Sequence, residues 1–330
     1  MTIEPVSVIV PAYNCETTIS QTLTAILNQD YRGTIEVIVV DDGSTDATAR
    51  LVKAFSQIKY FHQENSGPAS ARNRGAKESR FDFIFFTDSD CIPQRDWLLK
   101  LMSRFDDPKV AVVSGSYAIA NPEIVLARCI HQEILYRHKN LMSNFPKSFG
   151  SYNFGVRRKI FESLRGFNPE YRHASGEDND LSYKILNAGF KIYFEKNALV
   201  KHYHARHLKK YLIEQYSHGF WRVKMYLDHP YMVKGDDYTF WKDIVEVPLV
   251  IVCFFGLFEH LFMSSHSFFV VSSLLIFLGI EFVFGFVQIE RFVEKIIWAL
   301  VMFLRAWFRT AGFLVGFLYF LPLKILKKIK

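Results

Sequence analysis

Residues 81–90 read Phe81-Asp-Phe-Ile-Phe-Phe-Thr-Asp-Ser-Asp90, an apolar run that stops abruptly at two aspartates two positions apart. The run has the length and aromatic content of a buried strand, so Asp88 and Asp90 stand side by side where that strand leaves its sheet. Two carboxylates this close repel each other unless a cation or a hydroxyl donor shares the site. Hard divalent metals accept carboxylate oxygens and keep positions open for phosphates. A lone DxD is more often a solvated turn, so the surrounding sequence has to decide.

The pattern recurs on the N-terminal side. Val6-Ser-Val-Ile-Val10 is closed by Pro11, and Ile35-Glu-Val-Ile-Val-Val40 runs into Asp41, Asp42 and Gly43. Both read as buried parallel strands. Between them Ile19, Leu23, Ile26 and Leu27 mark one helix face, and Thr45-Asp46 caps a helix carrying Leu51, Val52 and Phe55. Further strands are expected over 58–62 and 110–113, with an edge strand over 191–200. Alternating strands and helices predict an α/β fold with an open, mainly parallel sheet, which binds ligands at its strands' carboxyl ends. The polar clusters gather there: Pro11-Ala-Tyr-Asn14, Asp41-Asp-Gly-Ser-Thr-Asp46 and Asn65-Ser-Gly-Pro-Ala-Ser-Ala-Arg-Asn-Arg-Gly75. Arg72 and Arg74 fall in the first turns of a helix starting near Ala69. Cations there oppose the helix dipole, so a bound anion is expected to relieve them. Glu177-Asp178 precedes Leu181, Ile185 and Leu186 and, taken alone, is an ordinary acidic helix start.

Together these stretches resemble the family 2 glycosyltransferases of the GT-A (Rossmann-like) fold over about residues 4–225. The matching pieces are Val6-Ser-Val-Ile-Val-Pro-Ala-Tyr-Asn14, Val39-Val-Asp-Asp-Gly-Ser-Thr-Asp46, Asn65-Ser-Gly with Ala71-Arg-Asn-Arg-Gly75, Thr87-Asp-Ser-Asp90 and Gly176-Glu-Asp-Asn-Asp-Leu181. The resemblance implies transfer of a sugar from a nucleotide-diphosphate donor, a UDP-sugar as first choice, to an acceptor hydroxyl with inversion and a divalent cation, Mg or Mn. It places Pro11, Ala12, Tyr13, Asn14, Asp42, Gly67, Arg72, Asp88 and Ser89 on the donor and its nucleotide. Asp90 becomes the metal ligand, with His202 or His204 as a further one. Asp178 becomes the general base, and Tyr152, Asn153 and Glu177 face the acceptor. Elementary chemistry agrees, since a sugar hydroxyl needs a carboxylate within reach to take its proton and a departing diphosphate gathers negative charge. Processive relatives carry QxxRW where this chain has Gln215-Tyr-Ser-His218, so one sugar per acceptor is expected. A polymer synthase or an inactive nucleotide-sugar-binding scaffold are the alternatives. A nucleotidyltransferase would want a Gly-rich loop after the first strand, where Pro11-Ala-Tyr-Asn14 stands.

Half of the 330 residues are hydrophobic types and 22% are charged, too apolar for an ordinary soluble chain and too charged for a bundle wholly in lipid. Sixteen of the 32 Phe follow residue 240. Three parts are therefore expected: the glycosyltransferase domain over 1–200, a basic amphipathic interfacial region over 201–240, and membrane helices over 241–330. Residues 201–224 hold six Lys or Arg against one Glu, interleaved with Tyr203, Tyr211, Tyr216, Phe220 and Trp221, which suits an anionic membrane surface. The net charge of +7 is too small to argue for nucleic acid. Cys15, Cys91, Cys129 and Cys253 show no metal or disulfide spacing and read as reduced thiols.

Segments 244–263 and 268–287 have the length of membrane spans, although Glu246, Glu259 and Glu281 interrupt them and leave a buried core helix as the alternative. In segment 296–323, Arg305 and Arg309 would each cost roughly 2.5–3.5 kcal/mol near a helix centre. An interfacial or re-entrant course is preferred there over spanning. Residues 6–10 are too short for a leader. The connector 264–267 lacks the Lys or Arg that 288–295 carries, so a multi-pass cell-membrane protein with its catalytic domain in the cytoplasm is expected, acting on a lipid-linked or cell-envelope glycan.

Overall fold

In a computed structural model of the chain, residues 4–173, 175–234, 239–263 and 267–329 are described. The chain divides into two compact units, residues 1–121 with 142–203, and residues 122–141 with 204–330. Segment 122–141, which the sequence reading left inside the first domain, thus belongs with the C-terminal helices, and 201–240 is not a body of its own.

The first unit is built on one eight-stranded sheet. Its strands are β1 (Val6–Ala12), β2 (Ile35–Asp41), β3 (Lys59–His62), β4 (Phe83–Thr87), β5 (Cys91–Pro93), β6 (Val110–Ile119), β7 (Asn153–Arg157) and β8 (Lys191–His202), in the order β3-β2-β1-β4-β7-β6-β8-β5. β1 pairs parallel with β2 and β4, β2 with β3, and β6 with β8. β7 runs antiparallel between β4 and β6, which makes the sheet mixed. β8 pairs with β6 along its length and, as expected over 191–200, is otherwise an edge. Three residues after the DxD, too few for any periodicity to reveal, form β5 and cover only its last residues, 200–202.

Helices α1 (Ile19–Leu27), α2 (Thr48–Lys53), α3 (Pro68–Glu78), α4 (Trp97–Met102), α6 (Arg158–Ser163) and α7 (Glu177–Asn187) belong to this unit; α5 follows with the second. Alternation along β1 and β4 divides the core. Val6, Val8, Val10 and Phe85 pack with Ile19, Leu23 and Trp97. Ile9, Ile84 and Phe86 pack with Ala71, Phe161 and Leu181. Apolar residues on both faces are why these strands read as unbroken apolar runs.

The second unit contains α5 (Val125–Asn140), α8 (Leu208–Asp228), α9 (Trp241–Met263), α10 (Ser267–Gln288) and α11 (Phe292–Ile329). α8 and α11 approach so closely that a Cβ on Gly219 would collide with the Arg309 carbonyl, and one on Gly312 or Gly316 with the Tyr216 or Phe220 carbonyl. Small residues at such a seam allow backbone-to-backbone packing.

Among the described residues two helices are long and apolar enough to cross a membrane, over Val271–Gln288 and Phe292–Leu326. α11 runs unbroken through 296–323. Its arginines are answered by counter-ions. Arg305 donates to both oxygens of Glu133 at 2.8 and 2.9 Å. Arg137 binds Glu133 and Asp243, each at 2.8 Å, and Arg309 lies 3.6 Å from Asp243. Lys242 pairs with Glu281 at 2.9 Å and with Glu246. Four acids thus meet four bases, which explains how Glu246 and Glu281 sit in apolar helices, since buried charges persist where partners compensate them. The connector residues 264–266 lie outside the described residues.

Candidate active site

At the carboxyl end of β1, Pro11 and Ala12 are buried while Tyr13 is 52% exposed, leaving its ring open to a flat partner. Asn14 adopts φ 46° and accepts from the Thr45 amide at 2.8 Å, which ties the first two polar clusters together. Asp42, expected on a nucleotide base, is engaged by the protein itself. It is 4% exposed, and its carboxylate accepts from Gln63 Nε2 (2.7 Å), Ser66 N (2.9 Å) and Gly67 N (2.8 Å). Its first task is to hold the loop that leads into α3. Gly67, at φ 90°, belongs there because a Cβ would collide with the Arg172 carbonyl.

Arg72 is likewise held by protein groups. Its guanidinium is 1% exposed and reaches Asp88 Oδ1 at 2.7 Å and Glu177 Oε1 at 3.0 Å. The anions that relieve this cation are the protein's own carboxylates, one from the DxD and one from the acidic helix start. Arg72 therefore joins the two motifs, reaching Glu177 across 105 residues of sequence. The Ser89 carbonyl accepts from Thr22 Oγ1 at 3.0 Å, fixing the turn between the aspartates.

Glu177, expected on the acceptor side, is 1% exposed. It receives Arg72 and the Ser151 hydroxyl (3.3 Å), while its second oxygen has no hydrogen-bond partner. Burial first and the neighbouring Asp178 charge second push its carboxyl up to about 7, against the pull of Arg72. Asp178, half-buried, accepts the Asn179 amide at 2.8 Å and the Ser151 amide. Burial still leaves its proton affinity above the ordinary aspartate range, which is the direction a base working near neutral pH needs.

Two further residues expected on the acceptor side are tied into the first unit. Asn153 is buried, accepts from Trp97 Nε1 at 2.7 Å and donates to the Ser116 and Ala198 carbonyls at 3.0 and 2.9 Å. It is a brace between α4, β6 and β8. Tyr152 stacks on Tyr117 with centroids 3.6 Å apart, and its ring lies against Gly150.

Asp90 leaves its side chain 41% exposed, with His202 Nε2 at 3.6 Å. Asp90, Cys91 and His202 offer ligand atoms all within 4.8 Å of one another, a donor set that fits a divalent cation. His202 places its imidazole beside Asp90, while His204 Nε2 lies 3.4 Å from His131 Nδ1 within the second unit. Cys91 and Ser151 are the residues that sequence reasoning missed. Only the opposition of β5 to β8 and the Ser151 hydrogen bonds make their positions evident.

Residues 7–165 match the model of Glycosyl transferase family 2. The chain belongs to that family. As a family 2 member it is 32% identical over 237 residues to the Pre-mycofactocin glycosyltransferase of Mycobacterium tuberculosis, covering 68% of this chain and 48% of that protein. It is 27% identical over 228 residues to Glycosyltransferase AglE of Haloferax volcanii, covering 67% and 74%. The chain spans about half the length of the first of these curated relatives. In fold it resembles the mannosyltransferase PcManGT from Pyrobaculum calidifontis, solved in complex with GDP-Man and Mn2+. That likeness has TM-score 0.52 and 23% identity, and covers 68% of this chain and 63% of the other. GalNAc-T7, solved with UDP, GalNAc and Mn2+, gives TM-score 0.50 at 16% identity over 67% and 51%. The first unit of this family 2 protein therefore has a GT-A-like fold.

Proposed function

We propose that this family 2 protein transfers one sugar, with inversion, from a nucleotide-diphosphate sugar to a lipid-linked or cell-envelope glycan at a membrane, its catalytic unit facing the cytoplasm. The observation that carries this reading is the buried Arg72, which ties Asp88 of the DxD to the Glu177-Asp178 pair. A donor-side acid and a base are thereby held in one construction. The nucleotide-sugar donor is further supported by relatives named as glycosyltransferases and by fold neighbours solved with GDP-Man or UDP.

In this reading Tyr13 and the Asp42-held loop receive the nucleotide, and Asp88 meets the ribose or donor sugar. Asp90 and His202 would hold Mg or Mn, which supplies charge neutralisation for the departing diphosphate. Asp178 takes the acceptor hydroxyl proton as the oxygen bonds to the anomeric carbon from the face opposite the leaving group. The carbon–oxygen bond to the nucleotide diphosphate breaks in the same step, so no covalent enzyme intermediate is needed. Membrane attachment is motivated by the two apolar helices and by exposed Phe254, Phe255, Leu275, Val283 and Leu318.

Incubating the purified chain with a panel of nucleotide sugars, with and without extracted membrane lipids, tests the proposal. One donor should release its nucleotide, and its sugar should enter the lipid fraction. Chelation should abolish both and added Mn2+ restore them. Turnover of no donor, or full activity in chelator, would sink the reading.

A further inference from the structure

Cys91 stands where its thiol changes the donor chemistry of the Asp90 site. β5 and β8 pair antiparallel with Cys91 directly opposite His202, and opposed residues in such a pair project from the same face. Cys91 Sγ lies 3.8 Å from Asp90 Oδ1, and His202 Nε2 lies 3.6 Å from the same oxygen. All three ligand atoms fall within 4.8 Å of one another. A tetrahedral zinc ion with bonds of about 2.0–2.3 Å holds its ligand atoms roughly 3.3–3.8 Å apart. Two edges of such a site are therefore already near their bound length, and only the sulfur–imidazole edge needs to close.

The proposed transfer reaction does not require this thiol. Mg and Mn prefer oxygen and leave a neutral thiol aside, whereas zinc, cobalt and cadmium gain from thiolate and imidazole. Carboxylate, imidazole and thiol together make a borderline-soft set with one position left for water or phosphate.

We propose that Asp90, Cys91 and His202 form a site for a thiophilic divalent cation of the zinc class, which excludes the hard metal and arrests transfer. As the sulfur–metal bond forms, the Cys91 S–H bond breaks and its proton passes to solvent. Nothing is oxidised or reduced. The binding claim stands apart from the proposed reaction; the inhibition claim rests on Asp90 serving that reaction.

Cobalt(II) titrated into the full chain in detergent tests the binding. A thiolate-to-cobalt charge-transfer band in the near ultraviolet, with proton release, is expected. Cys91→Ser should lose the band, and Cys15→Ser should keep it. Zinc affinity should fall in Cys91→Ser by at least the roughly tenfold that loss of even an outer-sphere partner costs, with Mn2+ affinity far less affected. A wild-type cobalt spectrum lacking the thiolate band overturns the site whether or not any variant folds. Undiminished zinc binding in Cys91→Ser does the same. In the activity arm, zinc should suppress Mn-supported nucleotide release, and less so in Cys91→Ser; equal suppression of both refutes inhibition through this site. A wild-type chain that turns over no donor counts against the proposed function, while the cobalt spectrum still decides the site.

Discussion

Arg72 is enclosed between Asp88 and Glu177, and a guanidinium so buried is tolerable only while both carboxylates face it. Replacing it with Ala leaves Glu177 buried and unpaired, so Arg72→Ala should lose about 3–5 kcal/mol of unfolding free energy, read by denaturant titration. A loss under about 1 kcal/mol would mean that water reaches the pair. With Glu177 raised to about 7 by burial and Asp178, the folded chain binds a proton that the unfolded chain has shed between its ordinary carboxyl range and about 7. Its contribution to stability therefore falls as pH rises through that window. The proposed transfer needs Asp178 unprotonated, which puts the acid limb of the rate profile above the usual aspartate range. Glu177 keeps its proton up to about 7 and so presents no charge to Asp178 over that limb, and Glu177→Gln should leave the limb in place; a limb moved to lower pH would show that Glu177 is ionised beside the base. Asp88 and Asp90 stood out in the sequence because they close an apolar run, whereas Asp178 was singled out only through the resemblance. The work of Asp42, Arg72 and Asn153 was not legible, since their partners come from distant elements and spacing along the chain does not report them.

Periodicity revealed most of the strands and several helices but gave no reading of α4, α5, β5 or β7, of which β5 has only three residues. α11 looked too charged to run through because the counter-ion of Arg305 is Glu133 on α5, 172 residues earlier. The α8–α11 seam was overlooked because its glycines lie in two separate segments. Gly312→Ala pushes a methyl into the Tyr216 carbonyl, and overpacking of this kind typically costs about 1–3 kcal/mol. A clear fall in the thermal midpoint of the detergent-solubilised chain is expected. An unchanged midpoint would show that the helices are farther apart.

Across the whole molecule, a soluble part followed by an apolar part was legible in the Phe distribution, but the division at residue 200 missed that 122–141 belongs to the second unit. A chain cut after residue 203 would keep α5 without the Asp243 and Arg305 that pair its Arg137 and Glu133. It should be poorly soluble, whereas good yield of a monodisperse truncation would contradict the division. Metal, donor and base serve the proposed reaction only if Asp178 takes the acceptor proton. The most direct measurement compares Asp178→Asn with wild type for donor affinity and for single-turnover sugar incorporation into membrane lipid. The account predicts similar donor affinity and incorporation slower by about 10²–10⁴, the usual contribution of a positioned base. Incorporation at the wild-type rate would contradict it.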